Sequence, residues 1–302
     1  MNAHVEIRER LDEDTVSEVQ RLVQAATDVD GVRPLNEHVM LHLRYGGDPG
    51  AKSALLYQSG VLSGFAHLDQ TDQVEGPSGE LVIDPSARRR GLGRMLLDAV
   101  LMETGGRLRL WAHGDHPGAG RMAASAGFQR VRSLWQMRRS LNAPFPAARV
   151  PEGVEITTFE TGRDEREWLA LNARAFAHHP EQGSWTLDDV KQREGEPWFD
   201  PAGFFLAFRG QTMAGFHWTK VHGDGGHGHE RVGEVYVVGV DPSEQGSGLG
   251  KALTLTGLSH LRSLGLSQVM LYVDEENGAA IRLYEGLGFT KWDVDVMYAP
   301  AR

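Results

Sequence analysis

The residues from Glu234 to Lys251 have the types and spacing to cradle a phosphate. They read Glu-Val-Tyr-Val-Val-Gly-Val-Asp-Pro-Ser-Glu-Gln-Gly-Ser-Gly-Leu-Gly-Lys. Glu234 to Val240 is β-branched and aromatic, which predicts a largely buried strand. Asp241-Pro242 ends it, because proline removes a ladder donor and fixes its own φ. A glycine turn follows, and Ala252 to Leu258 then starts a helix. Strand, glycine loop and helix together aim backbone N–H groups and the positive end of a helix dipole at an anion. Gly246, Gly248 and Gly250 lack a Cβ, so the backbone there can take positive φ and approach a diphosphate closely. Two better-known phosphate loops are excluded. A P-loop needs Gly-x-x-x-x-Gly-Lys-Ser/Thr, and the dinucleotide fingerprint needs Gly-x-Gly-x-x-Gly. Taken alone, such a run is more often an ordinary turn.

The elements around this run follow from the rest of the chain. Its 302 residues suit two domains of about 150 residues each. Forty per cent hydrophobic and 24% charged residues describe an ordinary globular composition. A net charge of −10 argues against nucleic-acid binding, which needs a basic stripe. With no cysteine, disulfides and thiolate metal sites are ruled out. No apolar run approaches the ~20 residues that span a bilayer, and the N-terminus has no signal-peptide core. These features predict a cytoplasmic protein that uses no membrane.

Along the chain, residues 12–27 read as an amphipathic helix, with Asn36 capping a second helix from Glu37. Ala54–Tyr57, Leu62–Leu68 and Leu81–Ile83 read as strands, and Met95–Met102 as a helix. The order then repeats. Asp84-Pro85-Ser86 recurs as Asp241-Pro242-Ser243, Gly127-Phe128 as Gly288-Phe289, and Gly64-Phe65 as Gly215-Phe216. A repeat this long is a duplicated domain. Three prolines between Leu141 and Pro151 mark a semi-extended linker. The expected division is a domain over 1–140, a linker over 141–152 and a domain over 153–302. In the second copy, strands are expected at 154–159, 203–208, 214–221, 269–273 and 294–298. Helices are expected at 163–177, 187–193 and 279–287.

Gln245, Gly248 and Gly250 fill the pattern Arg/Gln-x-x-Gly-x-Gly/Ala. Asn277, Ala280, Leu283, Tyr284, Gly288 and Phe289 fill Asn-x-x-Ala-x-x-Leu-Tyr-x-x-x-Gly-Phe. With both motifs in order, the chain resembles the GNAT acyltransferase superfamily, and does so in two copies. The resemblance implies a mixed α/β fold of two tandem domains. Each would be a mostly antiparallel, twisted sheet with flanking helices. It also implies acetyl-CoA as cosubstrate and no metal.

Acetylating an amine asks for a base, a polarised thioester carbonyl and a proton for the leaving thiolate. The absence of cysteine excludes a cysteine-bound acetyl-enzyme and leaves direct attack in a ternary complex. The resemblance assigns Glu234 as base, Tyr284 as general acid, and the backbone of Val238, Gly239 and Val240 as the carbonyl and pantetheine contact. Gly239 interrupts a β-branched strand, which suggests a bulge there. Further cofactor contacts carried over are Gln245, Gly246, Ser247, Gly248, Leu249, Gly250 and Lys251, with Asn277, Gly278, Ala279, Ala280, Ile281 and Arg282. In the first copy they are Leu81, Val82, Ile83, Arg88, Arg89, Arg90, Gly91, Leu92 and Gly93. That copy keeps the loop but has Pro77 and Ala123 as counterparts of Glu234 and Tyr284, so it is expected to hold CoA without catalysing.

Segments such as Gln136-Met137-Arg138-Arg139, His179-Pro180-Glu181-Gln182-Gly183 and Gly215 to His222 resemble the mycothiol synthases within this superfamily. That resemblance implies a small thiol-sugar acceptor, the cysteinyl amine of a cysteine–glucosamine–inositol conjugate. It carries over Glu37, Glu181, Lys220, Glu234 and Tyr272 as substrate-binding residues, and a monomeric chain. Two alternatives stay open: another GNAT enzyme acting on an aminoglycoside-like or peptide amine, and a non-catalytic CoA-binding protein. The histidine-rich run from His222 to His229 reads as a hairpin loop rather than a metal site.

Overall fold

In the structure, a computed structural model, the described residues are 3–46, 50–72, 75–177, 179–223 and 231–301. The first half runs β1 (Ala3–Arg8), α1 (Glu13–Asp30), α2 (Glu37–Tyr45), β2 (Ala51–Gln58), β3 (Val61–Asp69) and β4 (Ser78–Ile83). It continues with α3 (Leu92–Glu103), β5 (Arg109–Ala112), α4 (Pro117–Ser125) and β6 (Phe128–Ser140). The second half runs β7 (Val154–Thr158), α5 (Glu165–Ala175), α6 (Pro180–Gly183), α7 (Leu187–Glu194), β8 (Phe204–Arg209), β9 (Thr212–His222) and β10 (Val232–Val240). It ends with α8 (Leu249–Ser263), β11 (Gln268–Asp274), α9 (Gly278–Gly286) and β12 (Thr290–Pro300). The helix caps are written in the sequence. The Asp12 side chain accepts from Thr15 N at the start of α1, and Asn36 accepts from Val39 N at the start of α2.

Two compact units result: Met1–Leu134 with Asp293–Arg302, and Trp135–Trp292. They part at other points than the expected domains 1–140 and 153–302, because two strands are divided. The end of β6 belongs to the second unit and most of β12 to the first. The reason is pairing: Val296, Met297 and Tyr298 lie antiparallel to Ala112, Trp111 and Leu110 of β5.

The first unit is a mixed sheet. β1 to β4 pair antiparallel in sequence order, and β5 lies parallel to β4. One face packs Leu56, Leu68 and Ala54 on Leu96, Leu97 and Val100 of α3. The other packs Leu55, Phe65 and Val82 on Val19, Leu22 and Val23 of α1 and Val39 of α2. Alternating strand residues thus feed two cores.

The second unit repeats the plan. β7 to β10 pair antiparallel, and β11 lies parallel to β10, with β6 beyond β11. Val235, Leu271 and Val273 pack with Leu255, Leu258 and Leu261 of α8 and Ile281 of α9. Phe216, Trp218 and Val237 pack on the opposite face with Trp168 of α5 and Val190 of α7. Among the described residues, no helix is long and apolar enough to cross a membrane.

Candidate active site

The site grows out of a fork in the second unit. β10 and β11 pair only over Gly233↔Val269, Glu234↔Met270 and Val235↔Leu271. Beyond Val235 the strands part, and Val237 to Val240 pair with β9 alone. The edge of β10 that faces the fork therefore presents backbone donors and acceptors without a strand partner. The cause is a register step between Val235 and Val237, which leaves Tyr236 as an extra residue. A bulge of this kind bends the strand and sharpens its twist.

The expected bulge at Gly239 is corrected by this register. Gly239 pairs regularly with Phe216. Its lack of a side chain serves packing instead, since a Cβ there would stand 2.5 Å from the Phe216 ring. The same step corrects the first-copy counterpart of Glu234. Glu234 pairs with Lys220, and the matching pair in the first unit is Ser78 with Asp69. The extra residue in β10 moves the match from Pro77 to Ser78. In both readings the first copy lacks a carboxylate at that position.

Glu234 is 6% exposed, and its Oε2 lies 2.5 Å from His222 Nε2. An ionised carboxylate can only accept, so His222 donates in this contact. Directly across the ladder, the equally buried Lys220 places its Nζ 4.2 Å from the Trp198 ring centroid and 5.0 Å from that of Tyr236. The bulge residue Tyr236 is held in turn. Its hydroxyl accepts from Arg193 Nε at 2.8 Å, and the Arg193 guanidinium stacks 3.8 Å from the Trp185 ring centroid. Trp198, Trp218 and Tyr236 thus make an aromatic wall around a lysine beside a carboxylate, where cation–π attraction holds the ammonium. Lys220 and Glu234 stood out in the sequence. Tyr236, Arg193 and Trp198 did not, and His222 stood out only as the start of a histidine-rich run, because only the folded register brings them together.

On the other face, Asn277 caps α9 by accepting from Ala280 N at 3.1 Å. The Tyr284 ring meets Phe289 edge-on, with centroids 5.8 Å apart. Burial pushes the Tyr284 phenol up to about 12, so it keeps its proton across the physiological range. Glu234 and Tyr284 rise from opposite faces of the sheet: Val235, next to Glu234, packs in the cluster that Tyr284 lines. The gap between β10 and β11 is where the two faces communicate.

The glycine loop follows β10. Gly246 and Gly248 take φ of 81° and 88°, in the left-handed region. No side chain caps α8 through its N-cap residue Gly248. Ser247 Oγ accepts from Leu249 N at 3.3 Å. With the Leu249 amide so engaged, the first turn of α8 offers the amides of Gly250 and Lys251 at the positive end of a helix dipole. These features fit a diphosphate. The first-unit loop has the same course with different chemistry. Arg89 itself takes φ of 62° where the second copy has Gly246, and Gly91 takes 82°. The Arg88 guanidinium is engaged with both carboxylate oxygens of Asp30, each at 2.7 Å.

Among the remaining expected residues, Tyr272 on β11 is 39% exposed and its hydroxyl accepts from Gln136 Nε2 at 2.8 Å. Glu181 falls in α6, with its side chain outside the described residues. Glu37 is the first residue of α2 in the first unit. Of the histidine-rich run, 224–230 lie outside the described residues, and among the described ones no His, Asp or Glu group is placed to hold a metal.

Comparison with known proteins bears on this geometry. The profile of the acetyltransferase (GNAT) family matches residues 19–128 and again 164–289. The mycothiol acetyltransferase of Streptosporangium roseum is 63% identical, with 99% of each chain covered. That of Thermobispora bispora is 62% identical, again over 99% of each. Among solved structures, a tandem GNAT protein from the clavulanic acid biosynthesis pathway superposes with a TM-score of 0.74. It is 19% identical, with 99% of each chain covered, and shows the fold. Two family matches on one chain and relatives this similar settle membership: the chain belongs to the GNAT acetyltransferase family.

Proposed function

We propose that this chain transfers the acetyl group of acetyl-CoA to the cysteinyl amine of a cysteine–glucosamine–inositol conjugate, the last step of mycothiol biosynthesis. The observation that carries the reading is the buried Glu234 opposite Lys220 at the mouth of the β10–β11 fork. It joins identity above 60% to relatives named for this reaction. Glu234 takes a proton from the acceptor ammonium. The freed nitrogen attacks the thioester carbonyl, which the open backbone around Val238 to Val240 polarises. The C–S bond breaks as the N–C bond forms, Tyr284 gives its proton to the departing thiolate, and the second proton, lost from nitrogen as the amide forms, restores the phenol. The α8 loop holds the diphosphate through its amides. Lys220, Glu181 and Tyr272 supply hydrogen-bonding groups for the hydroxyls of the acceptor. The need for acetyl-CoA supports a cytoplasmic reaction.

The test is turnover with acetyl-CoA across a panel of amines: the conjugate, free cysteine, an aminoglycoside and a peptide. The conjugate should exceed the others in kcat/KM by orders of magnitude, because binding its remote body supports reaction at the amine. An aminoglycoside or peptide that matched it would refute the reading.

A further inference from the structure

From Glu234 a continuous row of side chains crosses the face of the second unit that bears α5 and α7. Met270 on β11 is the parallel partner of Glu234, and Tyr272 follows two residues on, on the same face. Tyr272 accepts from Gln136 Nε2 on β6. The Gln136 amide oxygen accepts from Arg138 Nε at 2.9 Å. The Arg138 guanidinium lies 4.7 Å from the centroid of Trp292, at the start of β12. Exposure grows along the row, from 6% at Glu234 and 9% at Met270 to 39% at Tyr272 and 64% at Trp292. Beside its outer end is a cavity of about 330 Å³ lined by Arg138, Arg139, Ser140, Asn142, Thr290 and Trp292.

A tryptophan left mostly in water is costly unless something covers it. Here one ring face is taken by a guanidinium and the rest is open. The surrounding groups are amides, hydroxyls and guanidiniums, with no carboxylate among the residues that line the cavity. An open ring face amid hydrogen-bond donors suits a neutral polyol ring, which offers a C–H face to the indole and hydroxyls to the rim. From β10 through β11 and β6 to β12 is three strand spacings, or about 14 Å. That reach suits an acceptor whose amine sits at Glu234 and whose body is two rings long.

Resting on the function proposed above, we infer that Trp292 and Arg138 form a subsite for the inositol end of the acceptor. Gln136 is then a positioning residue that sets Arg138 and Tyr272 relative to each other. None of the three touches the reacting atoms, so their effect is on acceptor selection.

The experiment measures kcat and KM at saturating acetyl-CoA for wild type, Trp292→Ala, Trp292→Phe and Arg138→Gln. The acceptors are the full conjugate and cysteinyl-glucosamine without its inositol. Trp292→Ala and Arg138→Gln should lose about ten- to a hundredfold in kcat/KM on the conjugate, mostly through KM. They should stay within about twofold of wild type on the truncated acceptor, as expected for a site that acceptor never reaches. Trp292→Phe should keep most of the activity, because the stacking face survives, and the KM for acetyl-CoA should not move. Equal losses on both acceptors, or none on the conjugate, would overturn the subsite. A wild type that does not acetylate the conjugate overturns the function itself. One that does, while the variants match it, sinks the subsite alone.

Discussion

His222 Nε2, at the end of β9, and Glu234 Oε2, on the neighbouring strand β10, are 2.5 Å apart. Glu234 is nearly sealed from solvent, and this imidazole is its contact at the end of β9. The pair makes two expectations testable together. Glu234→Gln should lower kcat by about 10²–10⁴-fold near neutral pH, the span for losing a general base. That loss should shrink as pH rises and free amine becomes abundant. His222→Asn should cost less, about tenfold, since it removes a partner and leaves the base. A Glu234→Gln enzyme within a few-fold of wild type at pH 7 removes Glu234 from the mechanism.

Tyr284→Phe tests the acid. Because burial pushes its phenol up to about 12, the tyrosine should not titrate below that value. The wild-type kcat profile should then show no fall near pH 10 from loss of this proton. Tyr284→Phe should lower kcat by about 10²-fold, with little change in acetyl-CoA KM. A full-activity phenylalanine variant would reassign the proton donor.

Arg139 offers a test at a distance from the chemistry. It is buried, and its guanidinium donates to the Leu287 carbonyl at the end of α9 and to Ala143 O at 3.0 Å. It also stacks 4.8 Å from the Phe145 ring centroid. A cation at a helix C-terminus is favoured by the dipole, and this helix carries Tyr284. Arg139→Met should cost about 1–3 kcal/mol of stability by stranding the buried Leu287 carbonyl, and kcat should fall more than acceptor affinity. Unchanged melting would show that α9 does not depend on this cap.

His113 makes the first unit sensitive to alkali. Its ring lies 3.1 Å from Glu80 Oε1 and 2.9 Å from Asp295 Oδ2. Burial opposes its charge. The Glu80 charge, then hydrogen bonds to Asp295 and Glu80, outweigh that and push it up to about 10. A histidine unfolds to a value near 6.5. Its stabilisation is therefore complete below that pH and lost as pH rises through about 10. Wild type should lose melting temperature over that window, and His113→Gln should lose less. Parallel curves for the two proteins would dismiss the triad as a source of pH dependence.

The two glycine loops can be separated in the same way. Gly248→Glu places a charged side chain at a left-handed N-cap and should abolish turnover. Gly91→Glu should spare the chemistry in a folded protein, and calorimetry on each should report whether one or two CoA sites remain. The opposite pattern would exchange the roles of the units.

The sequence carried local rules well. Asn36 caps as its type predicts, while Asp12, read as the first residue of its helix, is the cap before it; Gly246 and Gly248 take the positive φ a tight turn demands, and the duplication is visible in matched Asp-Pro-Ser and Gly-Phe pairs. Register was the blind spot. Gly239 looked like a bulge because glycine breaks a β-branched run, yet the extra residue is Tyr236, whose type is typical of regular strands. That single step also moved the counterpart of Glu234 from Pro77 to Ser78. The wall of Trp198, Tyr236 and Arg193 around Lys220 joins β9, β10, α7 and the segment after it, and no periodicity along one segment reveals it. The opening strand β1 was equally silent, being short and rich in charge.

The last strand has a consequence for the birth of the protein. Val296 to Tyr298 pair with β5, and Asp295 supplies a partner for the buried His113. A ribosome adding about 5–20 residues per second releases β5 long before it releases β12. The first half of the chain must therefore wait, on the order of ten to thirty seconds, with one edge of its sheet open and a buried imidazole short of a counter-charge. The half that is made first is the half that finishes last.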